Sequence, residues 1–213
     1  FGPKELQPFS DKLAFPCGDG PLKCNIDWDV CDLWYMTCVT KLTVCGLKDC
    51  SLTLPTSVVS LELVEGSRSV AVCGSENLTS LVVTSPGNTI MPCGKLQEFR
   101  WSGKTFCASA FAFPLDEATA LTVLSIDTQT VKQKTRFPPT LVQLELNVHG
   151  EPFKVSRLKH LTGLELLVLE LEKNTDPLDL SCLTGLTTLD TYKNKAARFP
   201  TSLVECYTTA DSD

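Results

Sequence analysis

The sequence predicts an α/β solenoid. Short strands from successive turns of the chain line up as a parallel sheet on the concave wall of a horseshoe, and mostly irregular or short 3-10 segments return along the convex side. Three observations predict it. An apolar triplet with the spacing L-x-x-L-x-L recurs along most of the chain. It returns at roughly the 20 to 29 residues expected of a repeat solenoid. A proline stands before three of the predicted strands, at Pro55, Pro138 and Pro200 in LPTSVVSLEL, FPPTLVQLEL and FPTSLVECYT. Proline has no backbone donor and a fixed φ, so it suits the turn that enters a strand. Alternating strands of a sandwich would also place apolar residues two apart, but alternation does not require a third apolar residue three positions earlier.

The elements follow in order. Residues 1–41 form a cysteine-rich amino-terminal cap and residues 42–213 about nine repeats of the leucine-rich template. LTVCGLKDCSL opens the series, with Leu42, Cys45 and Leu47 in the leucine slots and Cys50 in the slot that accepts asparagine or cysteine. Val58, Leu61 and Leu63 come next, then Leu78, Leu81 and Val83, and then Leu96, Phe99 and Trp101. Leu121, Leu124 and Ile126, followed by Leu141, Leu144 and Leu146, continue the pattern. LTGLELLVLELEKN can be framed from Leu164 or from Leu166; Leu186, Leu189 and Thr191 follow, and the last unit begins at Leu203. Such units cannot bury their leucines singly, so stacking closes the core and the end units need caps.

Residues between the leucines point outward onto the concave sheet, since side chains alternate along a strand. There the acidic groups Glu62, Glu98, Asp127, Glu145, Glu170, Asp190 and Glu205 are expected to form a stripe favouring a basic partner, with Arg100 among them. The alternative reading is an ordinary solvated sheet face. Tyr192 and Tyr207 add aromatic handles suited to a protein or sugar ligand.

A formal net charge of −6 and a pI near 5.0 argue against a phosphate-binding surface, which needs clustered Lys and Arg, so no nucleic-acid partner is expected. No apolar run reaches the roughly 18 residues of a membrane-spanning helix. FGPKELQPF lacks the plan of a signal peptide, so the chain reads as soluble or already processed. Eleven cysteines, six of them between Cys17 and Cys50, indicate an oxidising, extracellular or cell-surface setting. The odd count leaves a thiol either buried or bonded to another molecule. Cys73 and Cys93 occupy the same position in successive repeats, which stacks them close enough to pair. Asn77-Leu78-Thr79 is a sequon that accepts a glycan in a secreted eukaryotic chain or has arisen by chance.

Ahead of the repeats, WDVCDLWYMTC places Trp28, Cys31, Trp34 and Cys38 in a pattern that resembles the amino-terminal cap of extracellular leucine-rich-repeat proteins, especially the plant type. The resemblance spans the whole chain, cap first and repeats after. It implies that Cys31 pairs with Cys38 and seals the coil, with Cys17 and Cys24 as a second bridge. It also implies recognition or assembly. Tyr35-Met36-Thr37 stands where the plant pattern carries Gly-Val. The irregular cysteine-bearing repeats are similar in style to surface and wall leucine-rich proteins of protists.

No C-x-x-C pair exists, and His149 and His160 lie far from the cysteine cluster, so neither a metal site nor a cofactor is expected. Hydrolase, zinc-protease and phosphate-loop motifs are absent, no catalytic residue is read, and an enzyme is not expected. Both histidines read as structural. YTTADSD at the carboxyl end fits a fragment, a lipid-anchor attachment site or an edge that docks on another subunit. Two functions are thus expected: a module binding a protein or glycan on its concave face, or a self-assembling subunit of a coat, wall or fibre.

Overall fold

The structure is a computed structural model describing residues 22–25, 30–33, 37–45, 50–64, 69–73, 76–84, 88–90, 94–103, 110–111, 115–174, 177–192 and 196–209. Strands β1 (Leu22–Asn25), β2 (Val30–Asp32), β3 (Lys41–Cys45), β4 (Cys50–Thr53), β5 (Ser60–Val64) and β6 (Ser69–Cys73) come first. Next are β7 (Ser80–Val83), β8 (Asn88–Ile90), β9 (Glu98–Ser102), β10 (Ala110–Phe111), β11 (Val123–Thr128) and β12 (Thr130–Val131). The order ends with β13 (Gln143–Val148), β14 (Leu166–Leu171), β15 (Leu178–Asp179), β16 (Thr188–Tyr192), β17 (Ala196–Arg198) and β18 (Glu205–Thr209).

These strands form a parallel-strand solenoid. One 10-stranded sheet runs β1-β3-β5-β7-β9-β11-β13-β14-β16-β18. A 4-stranded parallel sheet, β2-β4-β6-β8, accompanies its amino-terminal half, and the pairs β10-β12 and β15-β17 continue that side farther along. Among the described residues helix is confined to two 3-10 turns, Leu115–Glu117 and Val155–Leu158. The expected α/β class is corrected accordingly: the return segments of the first turns are themselves strands. Their sequences, such as SVAVC, are short and rich in β-branched residues, which suit a pleated ladder better than a helix.

The register shows what each leucine slot does. Leu42, Leu61, Leu81, Phe99, Leu124, Leu144, Leu167 and Leu189 are direct partners from strand to strand, and all are buried. Two residues on, Val44, Leu63, Val83, Trp101, Ile126, Leu146 and Leu169 form a second buried row. Three residues before the first row, Val58, Leu78, Leu96, Leu121, Leu141, Leu164 and Leu186 are buried at the strand entrance. Each such side chain contributes about 1.5–3 kcal/mol by leaving water.

Two frames are thereby decided. Leu42 pairs with Leu61 and Val44 with Leu63, so the first unit sits three residues earlier than the template LTVCGLKDCSL suggests. Val39 takes its entrance slot, packed against the core. Cys45, expected in a leucine slot, instead pairs with Val64 on the solvent side and is half-buried. Farther on, Leu144 pairs with Leu167 and Leu146 with Leu169, which selects the frame from Leu164. The ten-stranded sheet also begins earlier than the first expected repeat, because β1 lies within residues 1–41 and pairs with β3.

The three prolines do what their chemistry suggests. Pro55, Pro138 and Pro200 are buried, and their carbonyls accept the amides of Val58, Leu141 and Leu203 at 3.1–3.3 Å, closing the turn into the strand. The turns approach closely elsewhere too: a Cβ on Gly185 would lie 2.5 Å from the Thr162 carbonyl oxygen. Arg157 braces the 3-10 turn Val155–Leu158, donating to the carbonyls of Val131, Lys132 and Thr135 while lying over the rings of Phe137 and Phe153. Burial lowers its pKa from the usual guanidinium value.

Two stability predictions follow from these slots. Leu167→Ala should cost about 2–5 kcal/mol, the usual range for a buried leucine, whereas Leu166→Ala on the other face should cost under about 1 kcal/mol. Denaturant midpoints of the two variants would reverse that order if the frame from Leu166 held. Thr191 occupies a leucine slot, fully buried, with its hydroxyl unpartnered. An unmade buried hydrogen bond costs about 1–3 kcal/mol. Thr191→Val should therefore raise the midpoint, and a lowered one would mean the hydroxyl has a partner in solution.

Candidate functional site

The face of the ten-stranded sheet turned away from the core presents three parallel rows of side chains. Ser60, Ser80, Glu98, Val123, Gln143, Leu166, Thr188 and Glu205 form the row nearest the strand entrances. Thr43, Glu62, Val82, Arg100, Ser125, Glu145, Val168, Asp190 and Tyr207 form the middle row. Ser102, Asp127, Asn147, Glu170 and Tyr192 form the third. The acids expected to make one stripe are thus spread over all three rows. Glu62, Glu145 and Asp190 share the middle row; Glu98 and Glu205 sit before it, Asp127 and Glu170 after it. The reason is elementary: steps of two along a strand keep the face but change the row.

Neighbouring turns hold several of these carboxylates in place. Glu62 accepts from the Thr43 hydroxyl at 2.9 Å. Glu98 accepts from Ser80 at 3.2 Å and from Arg100 at 2.7 Å, so Arg100 is committed to its own strand. Glu145 accepts from Ser125 at 2.9 Å and from Asn147 at 3.3 Å. Glu170 and Asp190, both half-buried, have no hydrogen-bond or ion-pair partner among the described residues. The two tyrosines are open to solvent, Tyr192 at 42% and Tyr207 at 56%, and the Tyr207 hydroxyl lies 3.4 Å from Glu205. Leu166 and Val168, half-buried, add apolar area beside them.

One constellation escaped sequence reasoning. His149 stands just past β13, its Nε2 3.0 Å from Asp127 Oδ1 and its Nδ1 3.1 Å from Glu172 Oε1. The register brings this about by pairing Val148 with Leu171 and Asn147 with Glu170. The pairing depends on a loop of uneven length between β13 and β14, and the template alone does not supply that length. His160, by contrast, is tied to the backbone: its Nε2 meets the Phe137 carbonyl at 2.8 Å. It lines, with Arg157, Phe137, Pro138 and Thr140, an open groove of about 560 Å³ away from the sheet face.

The cysteines divide. Cys38 is a free, exposed thiol in the turn before β3, so the Cys31–Cys38 bridge implied by the resemblance is not formed in the structure. Cys31 lies in β2 opposite Leu52, in the four-stranded sheet, while Cys38 leads into the ten-stranded one. Cys45, Cys182 and Cys206 are free as well, the last two exposed. Cys24 lies in β1 and Cys73 ends β6, whereas Cys17 and Cys93 fall outside the described residues, and with them the bridges Cys17–Cys24 and Cys73–Cys93. Asn77 is exposed in the turn before β7, its amide donating to the Thr56 carbonyl and its Oδ1 3.4 Å from Lys95 Nζ.

Among known proteins, no family model matches the chain and no curated protein matches it. No helix among the described residues is long and apolar enough to cross a membrane.

The free thiols can be checked directly. Iodoacetamide applied to the folded chain should modify Cys38, Cys182 and Cys206, with Cys45 slower, as read by peptide mass. Protection of Cys38 that is lost on reduction would restore the Cys31–Cys38 bridge.

Proposed function

We propose that the chain is an extracellular or cell-surface recognition module of leucine-rich-repeat type, binding a protein or glycan through the solvent face of the ten-stranded sheet. Here that sheet is the concave wall of a horseshoe and the segment before β3 its cap. The observation that carries the reading is the organisation of this face. Glu62, Glu98 and Glu145 are held by hydrogen bonds from adjacent turns, which lowers the ordering cost of meeting a ligand. Glu170 and Asp190 keep unspent acceptor capacity, and exposed Tyr192 and Tyr207 supply amphipathic contact area. A basic protein surface or a hydroxyl-rich glycan matches such a face. The eleven cysteines support the extracellular setting, and the exposed Asn77 suits a glycan. No catalytic group or cofactor enters this reading.

A second reading, self-association into a coat, wall or fibre, is favoured by β18. Val204 is 80% exposed beside it, and Cys206, which pairs with buried Leu189, is itself exposed.

The experiment is a screen of immobilised glycans and of basic and neutral proteins, followed by Glu145→Ala and Tyr192→Ala. Recognition predicts at least a tenfold loss of affinity in both variants, about 1.4 kcal/mol, with the light-scattering mass unchanged. Binding untouched by both variants, together with a concentration-dependent polymer shortened by reductant, would replace this reading with the structural one.

A further inference from the structure

Three successive turns bring four chemically active side chains to the carboxyl ends of β11, β13 and β14. His149 and Glu172 are fixed at the backbone, since the His149 amide donates to Thr128 O at 3.0 Å and the Glu172 amide to Val148 O at 3.1 Å. Gly150 keeps the next turn tight; a Cβ there would sit 2.7 Å from the Gln129 carbonyl oxygen. His149, Glu170 and Glu172 each offer a ligand atom, all within 4.8 Å of one another. Asp127, its side chain 10% exposed, approaches the far side of the same imidazole.

Satisfying a carboxylate at each ring nitrogen takes a second proton on the ring or a cation. A neutral imidazole has one N–H and one lone pair, and an ionised carboxylate only accepts. With the N–H on Nε2 donating to Asp127, the Nδ1 lone pair faces Glu172 Oε1 at 3.1 Å. A cation between them removes the conflict. Glu170, which has no other partner among the described residues, brings a second carboxylate oxygen within 4.8 Å of the other two ligand atoms. A buried carboxylate on one imidazole nitrogen, fixing the ring so that the other can ligate, is the usual outer-shell support of a metal-bound histidine.

We propose that the chain binds one divalent transition-metal ion of the zinc type at His149 Nδ1, Glu170 and Glu172, with Asp127 orienting the imidazole. One nitrogen and two carboxylate oxygens suit zinc at bond lengths of about 2.0–2.2 Å, which needs the spread of ligand atoms to contract somewhat. Glu172, 40% exposed at its side chain, has room to make that adjustment. Three protein ligands leave a coordination position open to water or to a ligand's oxygen. The site shares Asp127 and Glu170 with the face assigned to recognition but does not depend on that assignment.

Zinc chloride titrated calorimetrically into the folded chain tests it. Cysteines also bind zinc, so accessible thiols are first blocked with iodoacetamide and the result is read as a difference between variants. Wild type should bind one ion and gain thermal midpoint in zinc. His149→Ala and Glu172→Gln should each lose at least tenfold in affinity, and Asp127→Asn about 10–100-fold, as expected for an outer-shell partner. Should His149→Ala fail to fold, Glu172→Gln, at a more exposed position, carries the test alone. Equal zinc affinity in wild type and Glu172→Gln overturns the site. So does no binding by folded wild type at about millimolar zinc, which would leave a proton to bridge the ring to the carboxylates.

Discussion

Everything in this solenoid rests on the lock between one turn and the next at the strand entrances. The Thr40 carbonyl accepts two consecutive amides, those of Val59 and Ser60; Val59 does the same for Thr79 and Ser80, and Thr79 for Gln97 and Glu98. Gln97, Thr122, Val142, Glu165 and Thr187 repeat it along the sheet. Threonine hydroxyls reinforce several of these carbonyls, as Thr122 does at Gln97 and Thr187 at Glu165. Because each lock sets where the following strand starts, it sets which side chains go inward. A slip of one residue would turn the leucine rows to water.

That lock explains why unequal turns still stack. Glu98 pairs with Val123 while Thr188 pairs with Glu205, so the chain between locked entrances varies in length without disturbing the rows. The surplus is taken up away from the ten-stranded sheet, where backbone conformation is free to follow local sequence. Where alternating β-branched residues occur, as in β6, the return forms strand; where they do not, a 3-10 turn such as Val155–Leu158 forms, tied down by Arg157. Stability of such an array is a sum over neighbours, so a cavity at Leu167 weakens its own interfaces before it weakens distant ones.

The inward half of the molecule was legible because burial imposes a pattern that spacing preserves: Leu61, Leu81, Phe99, Leu124 and Leu144 were placed from their intervals alone. Legibility failed where another residue type stood beside the true slot. Cys45 invited a frame three residues late, since cysteine substitutes for leucine in size and apolarity. Leu42 holds that slot instead, with Val44 in the next one. The outward half was legible only as a list. Which acids share a row, which are already hydrogen-bonded, and that His149 faces Glu172 all depend on register between turns of unequal length, and no single repeat encodes that register.

The two halves differ in what a side chain must satisfy. An inward residue answers to shape and apolarity, so nearly every slot is filled by the same few types, and one exception, Thr191, leaves its hydroxyl unpartnered. An outward residue is free to be any polar type at little cost to the fold. Information about what the chain does therefore sits where outward groups are held more tightly than solvation requires. On the sheet face that describes Glu98 and Glu145, each gripped by two neighbours. Beyond it, the description fits His149 best, fixed by backbone bonds and enclosed by carboxylates from the turns on either side. Three turns converge to hold this imidazole between two acids, which places the candidate chemistry along this rim rather than in the leucine rows.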